Sequence, residues 1–209
     1  GGISAGGVHV YDLASGTPTV PLFMFTNPAP ATADRFGDTV AISGTRVAVG
    51  APTDNAGGVD TGSAYVYDLS SASPTLPVTT LSNPSPSDGE RFGTSVGISE
   101  ARVVIGATND FTGVTNTGRA YVYDLGSGAP SVPVAILNGT DPKAGDLFGE
   151  SVAIDGATVA IGSPGDDSPQ SNKGSAYIFG PHPDGDADGL RDAWELSYWP
   201  TTTGHSPLD

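Results

Sequence analysis

The acidic segment DGDADGLRDAWE, from Asp184 to Glu195, has the residue types and spacing of a calcium-binding loop. Calcium takes about six to eight hard oxygen ligands, and a loop of this kind ends with a carboxylate that gives two oxygens. Gly189 stands where the loop needs a sharp turn. The predicted ligands are five carboxylates and one backbone carbonyl: Asp184, Asp186, Asp188, Asp192, Glu195 and Leu190. The segment therefore predicts one bound Ca²⁺, and the alternative is a solvated acidic linker.

Ser95 lies in the run Gly93-Thr94-Ser95-Val96-Gly97, which fits the G-x-S-x-G pattern of a nucleophile elbow. Such an elbow needs a sharp turn from a strand into a helix, together with acid and base partners. Thr39 and Ser151, which stand 56 residues before and after Ser95, both fall inside predicted strands. We therefore expect a structural role for Ser95, and we predict no catalytic residue in this chain.

Acidic and amide side chains also gather in loops between predicted strands. The members of this set are Asp54, Asp60, Asn109, Asp110, Asp166 and Asp167. Asp and Asn are common in solvated turns because they bond their own backbone, and this is the interpretation that we prefer. A rim that binds a ligand or a cation is the alternative. Three further aspartates follow tyrosine-rich runs and are predicted to cap turns at strand ends: Asp12, Asp68 and Asp124.

The charge of the chain restricts its partners. Its 209 residues include 23 acidic and 8 basic side chains, which gives a formal net charge of −15. Such a chain repels a phosphate backbone and attracts cations, so we expect no nucleic acid partner and we favour Ca²⁺. Cysteine is absent, which excludes disulfides and thiolate metal sites. No apolar run approaches the roughly 18 residues of a membrane span.

A repeat of 56 residues organises most of the chain. Phe36-Gly37 recurs as Phe92-Gly93 and as Phe148-Gly149, with no insertion or deletion between them. The segments of the repeat are 6–33, 34–89, 90–145 and 146–180, of which the middle two are whole. A period of this length, with short β-type runs and glycine turns, indicates a propeller or another array of small sheets.

Each repeat is predicted to hold four strands, of which residues 39–43, 46–50 and 64–67 are the first three in one copy. In the third strand Ala64 and Val66 face one side and Tyr65 and Tyr67 face the other. Because both sides are apolar or amphipathic, we expect a sheet packed between two neighbours. The fourth strand is predicted to begin at a proline and to lie at a sheet edge. These prolines are Pro21, Pro77 and Pro133.

The link between the first two strands is Ser43-Gly44 in one repeat and Asp155-Gly156 in another, which predicts a tight hairpin. In the intervening repeat Glu100 takes the place of the glycine. We therefore expect a turn of another type at that position.

The segments FGDTVAIS, VAVGAP and GSAYVYDL, which return in this order, resemble the FG-GAP repeat family of integrin α subunits and bacterial surface proteins. The GAP motif is present at Gly50-Ala51-Pro52, and the corresponding residues of the next two repeats are Gly106-Ala107-Thr108 and Gly162-Ser163-Pro164. The resemblance covers nearly all of residues 6–180 and implies a β-propeller of an extracellular protein. Family members commonly bind calcium between the first two strands, but Ser43-Gly44 is too short for that site, so it is not carried over.

Residues 184–195 resemble the calcium loops of EF-hand-like and dockerin-like extracellular proteins. The resemblance implies a helix over residues 192–199 that ends at Pro200, and a second loop as a usual companion. Arg191 stands where the ordinary EF-hand has an apolar residue, and this departure bears on pairing with a second loop.

The predicted fold class is all-β: a partial β-propeller of four-stranded blades over residues 1–180, followed by a linker and a calcium loop with a short helix over residues 181–209. The strands amount to a little over three blades, whereas closed propellers have about four to eight. We therefore expect a fragment of a longer propeller or an assembly of several copies. An incomplete ring would expose apolar sheet faces and promote self-association.

The expected function is a non-catalytic interaction or adhesion module, secreted or on the cell surface and bacterial in character, that contacts a protein or a glycan. We expect partner contacts where the loops depart from the repeat, at Phe111, Arg119, Gln170 and Lys173. The alternative is an accessory region of a secreted polysaccharide-degrading enzyme. A pair of carboxylates at a separation suited to glycoside chemistry would favour that alternative, since propellers host many functions.

Overall fold

The computed structural model describes residues 6–110, 116–166 and 174–180. These residues form thirteen β-strands and no helix. The strands are β1 (Gly7–Tyr11), β2 (Pro21–Thr26), β3 (Thr39–Ser43), β4 (Arg46–Ala51), β5 (Ser63–Asp68), β6 (Thr79–Ser82), β7 (Phe92–Ser99), β8 (Arg102–Ala107), β9 (Arg119–Asp124), β10 (Ala135–Leu137), β11 (Ser151–Asp155), β12 (Thr158–Ser163) and β13 (Ser175–Phe179). The predicted all-β class is confirmed for this part of the chain.

The strands form four sheets, which we name A (β1 and β2), B (β3 to β6), C (β7 to β10) and D (β11 to β13). In sheets B and C each strand is hydrogen-bonded to the next one along the chain, and every pair is antiparallel. These four-stranded sheets are consistent with the predicted propeller blades. Their arrangement in a ring stays a prediction.

Alternate residues of a central strand pack against opposite neighbours. Tyr65 and Tyr67 of β5 belong to a buried cluster with Phe25 of sheet A, and the rings of Phe25 and Tyr67 stack with centroids 4.1 Å apart. Ala64 and Val66 of the same strand belong to a second cluster, with residues of β7, β8 and β9. The predicted covering of both faces is thus confirmed, and small side chains on one face accept the aromatic rings of the next sheet.

Two glycines of the repeat allow backbone contact between neighbouring sheets. A Cβ atom on Gly50 would lie 2.2 Å from the carbonyl oxygen of Gly93, and one on Gly106 would lie 2.0 Å from that of Gly149. The Oγ of Ser95 donates a hydrogen bond to the Gly149 carbonyl at 2.6 Å. Each FG glycine therefore packs against the GAP glycine of the preceding repeat, which explains why the two motifs recur together.

The turn at Glu100 differs from the prediction. Gly44, Glu100 and Gly156 have φ values of 58°, 53° and 55°, so all three adopt the same left-handed conformation, and the expectation of another turn type is wrong. The neighbouring sheet holds Glu100 in place, because its N–H donates to Ser43 Oγ at 3.0 Å and its carbonyl accepts from Arg46 Nη1 at 3.2 Å. Tertiary bonds thus offset a backbone conformation that favours glycine.

The fourth strands lie at sheet edges as predicted, since β6 and β10 each have a neighbour on one side only. Strand β2 begins at Pro21, but β6 and β10 begin two residues after Pro77 and Pro133, so the predicted start is wrong in two of three copies. Proline has no N–H to donate to a ladder. The first donor in this segment is Val78, whose N–H bonds the Val66 carbonyl at 2.8 Å.

The predicted calcium loop (184–195) and the predicted helix (192–199) lie outside the described residues. The chain divides into two compact units, Gly1–Ile178 and Phe179–Asp209, and both predicted elements belong to the second unit. The domain boundary at residue 180 and the blade count stay predictions. In the part of the chain that the structure describes, no helix is long and apolar enough to cross a membrane.

Candidate functional site

Pairs of buried carboxylates recur at the same place in three repeats. One member of each pair lies in the connection that enters a sheet, and the other lies in the loop after the second strand of that sheet. All six side chains belong to residues that are at most 5% exposed. We call the pairs seam 1 (Asp34 and Asp54), seam 2 (Glu90 and Asp110) and seam 3 (Asp146 and Asp166). Buried carboxylates are unfavourable unless they are paired or hydrogen-bonded, so their partners decide what each seam can do.

Seam 1 is held together by neutral donors. The amide of Asn27, just after β2, donates to Asp34 Oδ2 at 2.7 Å. The hydroxyl of Tyr65 in β5 donates to Asp54 Oδ2. The hydroxyl of Thr53 bonds the carbonyl that precedes Asp34 at 2.5 Å, so the two segments that carry the acids touch. Seam 1 therefore links the end of sheet A to the loops of sheet B.

Seam 2 adds a basic residue to the same plan. The amide of Asn83 donates to Glu90 Oε2 at 2.8 Å and to Asp110 Oδ2 at 3.2 Å, so it bridges the two carboxylates. Tyr121 donates its hydroxyl hydrogen to Asp110 Oδ2. Arg119 places Nη1 3.6 Å from Asp110 Oδ1, with 23% of its side chain exposed. Its guanidinium offsets part of the charge of the pair.

Seam 3 keeps the tyrosine contact and has its basic residue at the surface. Tyr177 donates to Asp166 Oδ2 at 2.5 Å, and the backbone N–H of Lys143 donates to Asp146 Oδ2 at 2.6 Å. The Lys143 ammonium pairs with Asp141 at 2.8 Å. Asp141 is the main cause of the raised pKa of Lys143, and Asp146 and Asp166 add to it. The exposed ammonium of Lys143 thus interacts electrostatically with the two buried carboxylates of seam 3.

Burial and neighbouring charges both shift the pKa values of ionisable groups in the seams. Burial raises the pKa of Tyr65 and of Tyr121, and the carboxylate that each hydroxyl contacts raises it further. Burial also raises the pKa of Glu90, with a further contribution from the charge of Asp110. Burial alone would lower the pKa of Arg119, but Tyr121 and the two carboxylates outweigh it and raise the pKa. The tyrosines therefore stay protonated at neutral pH and act as donors to the carboxylates.

The prediction of solvated turns is wrong for Asp54, Asp110 and Asp166, which are 3%, 1% and 2% exposed. Each of them accepts a hydrogen bond from a tyrosine eleven residues further along the chain. The tyrosine in the third strand reaches back over the loop and covers the aspartate. A constant Asp–Tyr separation in all three repeats was the sequence signal that could have identified these contacts.

Two other predictions are confirmed. Ser95 is buried within β7, on a strand and not on a turn into a helix, and it bonds the backbone of the next sheet. The predicted turn caps accept backbone N–H groups two residues further on, at 2.8–2.9 Å, through Oδ1 of Asp12, Asp68 and Asp124.

Several predicted site residues lie outside the described part of the chain. They include all six predicted calcium ligands of residues 184–195 and three of the expected partner contacts, Phe111, Gln170 and Lys173. The fourth expected contact, Arg119, begins strand β9 and belongs to seam 2. Its expected place in an exposed loop is therefore wrong, because the buried pair of carboxylates attracts its guanidinium. Among the described residues, no group of three or more His, Cys, Asp or Glu side chains could hold a metal ion.

Comparison with known protein families identifies the same repeats. The model of the FG-GAP repeat matches residues 26–67, 78–123 and 132–179, which together make up more than half of the chain. Each matched segment contains one complete seam. No curated protein matches the chain.

Proposed function

Because the chain belongs to the FG-GAP repeat family, we propose that it is a non-catalytic binding module of the cell exterior. Repeats of this family typically occur in extracellular and surface proteins. The packed sheets would hold their connecting loops in fixed positions, and these loops would contact a protein or a glycan. Rigid sheets with variable loops are a common arrangement for binding.

The main support for this proposal is that the repeated polar side chains make hydrogen bonds inside the protein. Ser95 bonds the Gly149 carbonyl of the next sheet, and Tyr65 and Tyr121 bond buried aspartates of their own repeats. An active site normally places a unique acid, base or nucleophile in an accessible cleft. Side chains that recur in register and bond inward serve packing instead, which supports binding over catalysis.

The enzyme-associated alternative would gain support from an accessible pair of carboxylates. The three pairs in the described residues are at most 5% exposed, and each accepts hydrogen bonds from a tyrosine and from the backbone or an asparagine. A sugar ring cannot reach carboxylates that are covered in this way. The binding module is therefore the better supported function.

We also propose that residues 184–195 bind one Ca²⁺, with an affinity on the order of 10⁻⁴ to 10⁻³ M if the loop is unpaired. Calorimetric titration tests this on three variants. Glu195→Gln should weaken the binding and Asp188→Ala should abolish it, whereas Asp68→Ala, at a turn cap, should leave it unchanged. Identical titrations of the wild type and Glu195→Gln would contradict the assignment.

The binding function can be tested by surface plasmon resonance against extracellular matrix proteins and a glycan array, with Ca²⁺ present. Two exposed apolar residues form a matched pair of probes. Val59, 62% exposed, lies between β4 and β5, and Leu76, 63% exposed, lies between β5 and β6, at the opposite end of the strands. Val59→Asp should reduce binding if the first set of loops contacts the partner, and Leu76→Asp should not.

The same preparation should show no turnover on panels of polysaccharides and esters. Reproducible hydrolysis that disappeared after one loop substitution would overturn the non-catalytic assignment. Such a result would favour the enzyme-associated alternative.

A further inference from the structure

Asn138 follows the last strand of sheet C and departs from the pattern of the other repeats. The corresponding residues, Thr26 and Ser82, are the last residues of β2 and β6, and each is paired with a residue of the neighbouring strand. Strand β10 ends one residue earlier, at Leu137. Asn138 therefore lies outside the strand pairing, and its side chain is exposed.

Gly139 places an unobstructed backbone nitrogen next to this side chain. The corresponding residues of the first two repeats are Asn27 and Asn83, whose amides bond the carboxylates of seams 1 and 2. In the third repeat glycine stands at that position, and the asparagine precedes it. Within the three described ranges, the N–H of Gly139 donates no hydrogen bond. Glycine also has no Cβ to hinder a group that approaches its nitrogen.

We propose that Asn138 is a site of spontaneous deamidation, in which the backbone nitrogen of Gly139 attacks the side-chain amide. The nitrogen gives its proton to water and forms a bond to Asn138 Cγ, and the bond from Cγ to Nδ2 breaks. The departing amino group takes up a proton and leaves as ammonia. Water then opens the resulting succinimide ring at either carbonyl, which yields aspartate or isoaspartate at position 138. The reaction consumes one water molecule and needs no other reagent.

Most of the other described asparagines lack a free N–H on the following residue. Asn27 and Asn83 are buried and precede prolines, which have no N–H. Asn109 precedes Asp110, whose N–H donates to the Ala107 carbonyl at 3.1 Å. The same attack on these three side chains is therefore blocked.

The two remaining described asparagines are hindered in other ways. The Oδ1 of Asn55 is held by the N–H of Asp60 at 2.7 Å. Asn116 precedes Thr117, a β-branched residue that is 1% exposed and is more restricted than glycine. Among the asparagines that the structure describes, Asn138 thus combines exposure with a free neighbouring N–H and a following glycine.

The modified residue would adjoin seam 3. A Cβ atom on Gly139 would lie 3.4 Å from the hydroxyl oxygen of Tyr177 and 3.7 Å from the ring of Phe148, and Tyr177 donates to the buried Asp166. Either product adds a negative charge beside an acidic seam. Isoaspartate also lengthens the main chain by one carbon just before Gly139. We therefore expect the aged protein to melt a few degrees lower than the fresh protein.

Peptide mapping by mass spectrometry tests the site on the full chain, aged in mildly alkaline buffer at physiological temperature. Trypsin cuts after Arg119 and Lys143, and the peptide 120–143 contains Asn138 as its one asparagine and has no glutamine. This peptide should gain one mass unit with time, earlier than the peptides that carry the other described asparagines. Fragmentation should show both isoaspartate and aspartate at position 138. A fresh sample, digested in the same way, corrects for modification during digestion.

Two variants provide matched controls. Gly139→Ala keeps the attacking N–H but adds a Cβ, which the structure accommodates at ordinary contact distances and without a left-handed backbone. It should slow the mass gain severalfold. Asn138→Ser introduces the residue of the preceding repeat and should abolish the mass gain. Both variants should fold as the wild type does, and Asn138→Ser should keep its melting temperature on ageing.

Three results would count against the proposal. If the peptide 120–143 gained mass in urea but not in the folded chain, the fold would protect Asn138 and the site would be refuted. An equal rate in Gly139→Ala would exclude attack by the Gly139 nitrogen. An aged wild type that carried the modification but melted like the fresh protein would overturn its effect on seam 3.

Discussion

Replacing Tyr121 with phenylalanine removes one hydroxyl from seam 2 and leaves the aromatic ring in place. This hydroxyl donates to Asp110 Oδ2 and lies 3.2 Å from Asn83 Oδ1, in a residue that is 1% exposed. A hydrogen bond to a charged group contributes about 1.5–3 kcal/mol, and the acceptor left behind stays buried. We expect Tyr121→Phe to lower the free energy of unfolding by about 2 kcal/mol. For a protein of this size that corresponds to roughly 4–8 °C in melting temperature.

Tyr67 provides the matched control, because its ring is equally buried but its hydroxyl bonds no carboxylate. It is 0% exposed and stacks on Phe25, and its hydroxyl has no hydrogen-bond partner in the described structure. The third repeat has Phe179 at this position. Removal of an unsatisfied buried hydroxyl is neutral or stabilising. Tyr67→Phe should therefore leave the melting temperature unchanged or raise it by a few degrees.

Thermal and urea unfolding near pH 7, followed by circular dichroism, measures both variants against the wild type. The urea m-value should be the same in all three, since neither change alters the surface exposed on unfolding. If Tyr121→Phe cost no more stability than Tyr67→Phe, the tyrosine–aspartate bond would contribute nothing to the seam. The account of the seams as structural junctions would then be refuted.

Three further predictions concern backbone conformation, packing and pH. Glu100→Gly should stabilise the protein by about 1 kcal/mol and Gly44→Ala should destabilise it by about as much, because both positions are left-handed; urea unfolding measures both. Gly106→Ala should cost about 3 kcal/mol or more because its Cβ would lie 2.0 Å from a carbonyl oxygen, whereas Gly128→Ala, with open space around it, should cost little by the same measurement. Burial, with a smaller contribution from Asp110, raises the pKa of Glu90, so the stability linked to its protonation is present below about 4.5, the usual glutamate value, and is lost as pH rises through the raised value. Glu90→Gln should therefore melt at a higher temperature than the wild type at neutral pH, with a difference that shrinks toward pH 4, and a constant difference across a pH series would contradict this.

The sequence was sufficient to predict the strands because their pattern is local and is repeated. Residues 39–43 were predicted as a strand with the bounds that β3 has, and the two faces of β5 pack against different neighbours as their composition indicates. Because the pattern occurs in three copies, the strands predicted in one copy are supported by the other two. The starts of β6 and β10 were missed because a proline marks where a donor is absent, and not where pairing begins.

Contacts between sheets were not predictable in the same way, because they depend on atoms that are distant in the sequence. Glu100 occupies a glycine conformation only because Ser43 and Arg46 of the neighbouring sheet bond its backbone. The burial of Asp110 requires a tyrosine eleven residues later and an asparagine from the preceding sheet. Local propensity predicted a different turn at Glu100 and a solvated turn at Asp110. Both predictions were wrong, because contacts with distant residues fix the backbone conformation of Glu100 and bury the side chain of Asp110.

The seams also show how a repeat can keep its geometry while its charges change. The glycine contacts between sheets tolerate no side chain, so the signature glycines stay constant in the sequence. The buried carboxylates need only to be paired with a charge or hydrogen-bonded, and that requirement can be met in more than one way. Arg119 meets it within seam 2, and Lys143 contributes from the surface of seam 3. Ser63 leaves seam 1 without either, and there the amide of Asn27 and the hydroxyl of Tyr65 stabilise the buried carboxylates as neutral donors.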